Sequence, residues 1–305
     1  MPRSRSTDPV LRTRLITGTL LVAALVALLW ADGAAGRAVD AEGALARALG
    51  GTDGVVIVPF ALCLLAPLLG IELARLLRGA GVDAPTWLTV LAALAGAASV
   101  RAAPALGPGT AAATVAIAAW ATLSAALVVH SRGQRIAGVA AATGGTLLAF
   151  VYVGMMVGTW LLVRCDVGPW VMAGAVLTVK ASDIGAYAAG MSFGRHKMIP
   201  WLSPAKSWEG LAGGIALAAA VGGAMAWWSA GLPDPRDHVP VALGAATGAV
   251  LGLVGPFGDL VESLLKRGAG VKDSGSVLPG MGGVFDVLDS PLMAGPVVWL
   301  ALQVR

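Results

Sequence analysis

Apolar stretches of about 17 to 25 residues recur from one end of the chain to the other, each long enough for a helix to cross the roughly 30 Å hydrocarbon layer of a bilayer. Nine can be marked, over residues 15–31, 55–74, 86–103, 110–130, 136–163, 168–192, 210–231, 239–261 and 284–303. The chain is 57% hydrophobic and only 12% charged, which places it outside soluble domains and makes a membrane its natural solvent. An open sheet edge cannot be satisfied in lipid, and no alternating ten-residue barrel pattern is present, so strands are not expected. The expected fold is all-α, a polytopic transmembrane bundle of about nine helices.

Loop charges orient such a bundle, because cytoplasmic loops carry the Lys and Arg excess. With the N-terminus inside, the inner side holds Arg3, Arg5, Arg12, Arg14, Arg75, Arg78, Arg132, Arg135, Arg195, Lys197, Lys206, Lys266, Arg267 and Lys272. The outer side holds Arg37, Arg47, Arg101, Arg164, Arg236 and Arg305, and Lys180 alone falls inside a span. The imbalance predicts a cytoplasmic N-terminus and an external C-terminus. Reading the first span as a cleaved signal peptide would break this alternation of charge. The net charge of +4 therefore reports topology, and no nucleic-acid partner is expected. Cys63 and Cys165 show no metal-type spacing.

The polar residues divide the chain. Residues 1–165, about five helices, are Ala-, Leu-, Val- and Gly-rich and read as a transmembrane scaffold whose small residues permit close packing. Within it Glu72 is expected to pair with Arg75 or Arg78. Residues 166–305, about four helices, concentrate ionisable groups in three segments that the topology brings to one side. The first runs from Lys180 through Ser182, Asp183 and Gly185 to Tyr187. A charge at that depth costs on the order of 3 kcal/mol, so Asp183 needs a partner, Lys180 being the simplest, or a purpose. The second holds Arg195, His196 and Lys197, then Ser203-Pro204-Ala205-Lys206-Ser207-Trp208-Glu209-Gly210. Ser203 and Pro204 read as the N-cap and first residue of a helix whose free N-terminus, with Lys206 and Ser207, would suit a phosphate.

The third segment is the richest. Asp259, Glu262, Ser263 and Lys266 fall at i, i+3, i+4 and i+7, giving the eighth helix a polar face. Arg267, Lys272 and Asp273 follow, then a turn containing Gly280, Gly282 and Gly283 that lets backbone approach a ligand closely. Asp286 and Asp289 share a face at the start of the ninth helix. Hard oxygen ligands of this kind select Mg²⁺, and neighbouring Lys and Arg suit a polyanionic substrate. Together they form the equipment of phosphoryl or nucleotidyl transfer, where catalysis is chiefly positioning and charge neutralisation. No Ser-His-Asp set, Walker loop or His-rich site competes. A site at the bilayer surface predicts one lipid and one water-soluble substrate.

The runs from Ser182 to Tyr187, from Ser203 to Gly210 and from Gly258 to Ser290 resemble the phosphatidate cytidylyltransferase (CDP-diacylglycerol synthase) family, in order and with matching spacing over about residues 180–295. The resemblance implies an enzyme of phospholipid biosynthesis in the inner cell membrane, its active site cytoplasmic. It would convert CTP and phosphatidic acid to CDP-diacylglycerol and pyrophosphate, with a homodimer as a compatible assembly. It further implies that Asp259, Asp286 and Asp289 hold one or two Mg²⁺ ions, with Asp259, Asp286, Lys206 and Lys266 as the catalytic set. Lys206, Lys266, Arg267 and Lys272 would contact phosphates, and Asp183, Ser203, Ser207 and Asp273 would shape the polar cavity. Tyr187, Glu209, Glu262, Ser263, Gly282 and Gly283 complete the implied substrate-binding set. Two positions depart from the family pattern, Met281 standing where His is usual and Val287 where Arg is usual. The competing readings are a CTP-dependent membrane enzyme acting on another lipid, such as an isoprenoid alcohol kinase or another CDP-lipid synthase, and a transporter. The transporter would require related halves, and no such repeat is present.

Overall fold

A computed structural model describes residues 9–39, 52–132 and 136–305; Arg3, Arg5, Arg47 and Arg135 of the charge count lie outside the described residues. Among the described residues nine long helices follow one another: α1 (Pro9–Ala38), α2 (Ile57–Gly79), α3 (Thr86–Ala102), α4 (Pro108–Ser131), α5 (Val139–Asp166), α6 (Pro169–Phe193), α7 (Trp208–Ser229), α8 (Val241–Gly268) and α9 (Phe285–Leu302). They match the nine apolar stretches in order. Eight are long and apolar enough to cross a membrane, the exception being α6, which carries Lys180 and Asp183. Two helices contain a π-helical segment, Ala61–Leu65 in α2 and Ala149–Met155 in α5.

Strands were not expected, yet one hairpin forms outside these helices. β1 (Lys197–Ile199) pairs antiparallel with β2 (Ser203–Ser207), Lys197 opposite Ser207 and Ile199 opposite Ser203. The reading of Ser203-Pro204 as a helix start is therefore corrected: α7 begins at Trp208, and its N-cap is Ser207, whose Oγ accepts a hydrogen bond from Gly210 N at 3.1 Å. The residue before a proline prefers extended backbone, which fits a strand as well as an N-cap. Pairing with residues 197–199, a contact beyond local sequence, decides between them. Glu209 then secures the hairpin, accepting from the backbone N of Arg195 and of His196 at 3.2 Å and lying 2.6 Å from His196 Nδ1.

α7 runs between α6 and α8, and small residues set how closely it approaches. A Cβ on Gly185 of α6 would sit 2.6 Å from Gly213 O, and one on Gly214 of α7 would sit 2.9 Å from Ser182 O. Backbone thus meets backbone, as small residues allow between membrane helices, and the approach holds the polar face of α6 toward α8. Contacts also join the two halves of the chain: Trp160 Nε1 of α5 donates to Pro291 O of α9 at 2.8 Å.

Charged groups gather at both ends of the bundle. At one end Arg164, 2% exposed, pairs with the fully buried Asp32 at 2.6 Å and with Asp53 at 3.2 Å. Asp32 also accepts from Val56 N and Ile57 N, at 2.8 and 3.0 Å. Arg236 bridges Asp53 and Asp234, both at 2.9 Å, and its hydrogen bond holds the Asp234 carboxyl below the ordinary carboxylate range. At the other end Arg14 Nε donates to Gly280 O at 2.9 Å and Thr17 Oγ1 to Pro279 O at 2.8 Å, docking the start of α1 on the glycine-rich turn. Arg164 and Arg236 come from the expected outer charge set and Arg14 from the expected inner one, and the fold puts them at opposite ends of the bundle.

Candidate active site

The C-terminal turns of α8, the start of α9, the middle of α6 and strand β2 enclose a cavity of about 400 Å³. Its polar lining includes Lys180, Asp183, Lys206, Asp259, Asp286 and Asp289. The helical spacing of the third segment accounts for the carboxylates, and β2 delivers Lys206 across from them. Lys206 Nζ lies 2.8 Å from Asp259 Oδ2 and donates to Pro256 O at 2.6 Å. Ser263 Oγ donates to Asp259 Oδ1 at 3.4 Å.

One turn further along α8, Lys266 Nζ sits between two carboxylates, 2.7 Å from Glu262 Oε2 and 2.8 Å from Asp286 Oδ1. The Glu262 side chain is 1% exposed and that of Asp286 8%, and burying two such groups is tolerable only because a cation lies between them. The second Asp286 oxygen accepts from Gly283 N at 2.7 Å and from Ser274 N and Oγ, both at 2.8 Å. The turn that supplies Gly283 contains Gly280 at φ 75° and Gly282 at φ 97°, backbone geometry that side chains larger than hydrogen seldom adopt.

Three carboxylates converge. Asp259, Glu262 and Asp289 each bring an oxygen within 4.8 Å of the other two. Glu262 Oε1 is buried with no hydrogen-bond partner among the described residues, an arrangement that a cation would complete and that is costly otherwise. Three hard oxygen donors beside a polar cavity fit Mg²⁺. Asp286 stands outside this trio, its oxygens engaged by Lys266 and the turn.

The remaining expected residues are distributed around this centre. Asp183 pairs with Lys180 at 3.3 Å and accepts from Ser290 Oγ at 3.4 Å, so the simple i, i+3 pair exists and also borders the cavity. Ser207 lines the wall, and Tyr187, 70% exposed, lies at the rim. Lys272, Asp273 and Gly282 border a second polar cavity of about 480 Å³ together with Arg14 and Met281. Ser203 belongs to the hairpin, Glu209 in the first turn of α7 accepts from the backbone that leads into it, and Arg267 donates to Val271 O at 3.4 Å.

Two residues from the first half of the chain reach the site, Tyr152, which the sequence did not mark, and Glu72, which was expected to pair elsewhere. Tyr152, in the π-helical segment of α5, is buried with its ring centroid 5.5 Å from that of Phe285 and its hydroxyl 3.5 Å from Gly258 O. Glu72 does not pair with Arg75 or Arg78: its oxygens accept from Val284 N at 2.9 Å and Phe285 N at 2.8 Å. Arg78 donates instead to Ala84 O and Thr86 Oγ1. The available signal for Glu72 was an acidic residue inside an apolar span, which by itself asks for a partner of consequence.

Comparison with known proteins meets the same residues. The model of the cytidylyltransferase family matches residues 46–305, a stretch that contains all three polar segments. The chain belongs to that family. Similar proteins include the phosphatidate cytidylyltransferases of Mycobacterium bovis, 35% identical over 168 residues (52% of this chain and 52% of that protein), and of Bacillus subtilis, 37% over 161 residues (52% and 58%). The Staphylococcus aureus protein of the same name is 41% identical over 128 residues, 42% of this chain and 47% of that one. The chain spans about half the length of the curated relatives it matches. Family membership, with eight helices long and apolar enough to span a bilayer, makes this cytidylyltransferase-family chain a multi-pass membrane protein.

Proposed function

We propose that the protein transfers the cytidylyl group of CTP to phosphatidic acid, giving CDP-diacylglycerol and pyrophosphate. The observation that carries the proposal is the convergence of Asp259, Glu262 and Asp289 beside a cavity walled by Lys206. A phosphate oxygen of the lipid attacks the α-phosphorus of CTP, a new P–O bond forms, and the bond to the β-phosphate breaks as pyrophosphate leaves. The lipid phosphate is already ionised, so no strong general base is needed. Asp259, Glu262 and Asp289 would hold Mg²⁺, which when bound neutralises charge on the phosphates. Lys206 contributes fixed positive charge at the cavity wall. Lys266 keeps Glu262 and Asp286 in place, and Asp183 with Ser290 frames the floor. Tyr187 of α6 borders the cavity, and with the exposed Ile184 and Met191 at helical spacing on either side it offers an apolar flank along which acyl chains can lie.

Incubating purified protein with labelled CTP, Mg²⁺ and a panel of lipid phosphates tests the reading. A CDP-lipid and one pyrophosphate per turnover are expected with phosphatidic acid. Release of CDP with phosphorylation of an alcohol would replace it with the lipid-kinase reading, and absence of any CTP turnover would overturn it.

The same proposal puts the site at the cytoplasmic face of the inner membrane, on the strength of the inner charge set around it, and allows a homodimer, which cross-linking in intact membranes tests. A single cysteine at Ala205, beside Lys206, is expected to react with an impermeant maleimide only after the cytoplasmic side is opened. Labelling of intact cells from outside would contradict that orientation.

A further inference from the structure

Glu72 lies in α2, in the part of the chain that otherwise builds scaffold, and is 2% exposed. A buried carboxylate is costly unless its oxygens are hydrogen-bonded. Here the donors are Val284 N at 2.9 Å and Phe285 N at 2.8 Å, with Ser274 Oγ 3.2 Å away. Val284 is the N-cap position of α9 and its own side chain makes no cap. The amides of that helix start, which have no partner within the helix, are satisfied by a residue more than 200 positions earlier, where an acidic group also suits the helix dipole. The neighbouring amide, Gly283 N, goes to Asp286, and Ser274 Oγ lies within reach of both carboxylates. The turn is built around Glu72: a Cβ on Gly275 would come within 2.8 Å of its Oε1, and one on Gly283 within 2.6 Å of both oxygens.

We propose that Glu72 is a positioning residue for the active site, capping α9 from the scaffold half and thereby setting the turn that orients Asp286 toward Lys266 and places Asp289 one turn further on. The proposal rests on the cytidylyl-transfer reading for its kinetic consequences, while its structural consequence is independent of that reading.

Two measurements on the full-length protein test it. Glu72→Gln keeps the size of the side chain but turns an amide toward the donors of the turn. Turnover per folded molecule is expected to fall about 10- to 100-fold, the range seen when a supporting group behind a ligand is removed, with KM for CTP changing less than about threefold. Separately, a lone cysteine at Ser276, with Cys63 and Cys165 replaced by Ser, is expected to react with a maleimide several-fold faster when Glu72→Gln is added. A lowered unfolding temperature with unchanged kcat and labelling rate would show that Glu72 only stabilises the bundle and would overturn the proposal. If the wild type makes no CDP-lipid, the functional reading fails while the labelling rate still decides whether Glu72 holds the turn. Should Glu72→Gln not fold, Ser274→Ala removes the hydroxyl between the two carboxylates and is expected to lower kcat and speed labelling in the same direction; unchanged values there count against the proposal.

Discussion

Asp259→Asn is expected to lower CTP turnover by about 10²- to 10³-fold, the loss typical of removing one group that stabilises charge in a transition state. The substitution keeps the shape of the side chain and removes its charge from the group formed with Glu262 and Asp289. It also takes the ionic partner from Lys206, which is left with Pro256 O. Raising Mg²⁺ should restore part of the rate if the lost charge acts by holding the cation, since affinity then falls before chemistry does. The measurement is turnover of labelled CTP against Mg²⁺ concentration in purified protein. A variant that keeps the parent rate at low Mg²⁺ would remove Asp259 from the metal set.

Lys266→Met is expected to destabilise the folded protein by about 3–5 kcal/mol, because breaking a buried ion pair from one side leaves charge without compensation. Lys266 serves two carboxylates at once, Glu262 at 2.7 Å and Asp286 at 2.8 Å, and its own side chain is 14% exposed. Thermal unfolding in detergent should show the loss. The double variant Lys266→Met with Glu262→Gln should recover part of it, because one uncompensated carboxylate has then been made neutral. If the double variant is no more stable than the single one, the ammonium is not what keeps Glu262 buried. Activity is expected to stay low in both, since Glu262 belongs to the converging trio and Asp286 has lost its partner.

The relation between these two sites explains why part of the arrangement could be read early. Asp259, Glu262 and Lys266 lie on one face of α8 because the helix repeat puts i, i+3 and i+7 together, so their proximity needed nothing beyond the knowledge that residues 241–268 are helical. Asp286 and Asp289 share a face of α9 for the same reason. Which of these carboxylates meet is another matter. Glu262 joins Asp259 and Asp289, while Asp286 turns to Lys266 and to the amide of Gly283. That depends on how α8 and α9 pack, and the helix repeat carries no information about it.

The hairpin and Glu72 make the same point more sharply. Ser203-Pro204 satisfies the local rules for a helix start and forms a strand because residues 197–199 are there to pair with it. Glu72 has Arg75 at i+3 and Arg78 at i+6 on its own helix and bonds neither, because the start of α9 offers it amides that would otherwise be buried without partners.

By itself the sequence determined the number, order and apolar character of the helices, the division of charge between the two ends, and the segments from which the site is drawn. These are consequences of segment length against bilayer thickness and of local periodicity, and both are written in consecutive residues. Only the tertiary structure decided which carboxylates share a centre, which lysine faces which acid, and that α2 caps the start of α9. Such partners lie tens to hundreds of residues apart, and the choice among them is made by close packing and by the cost of leaving a buried charge or amide unpaired.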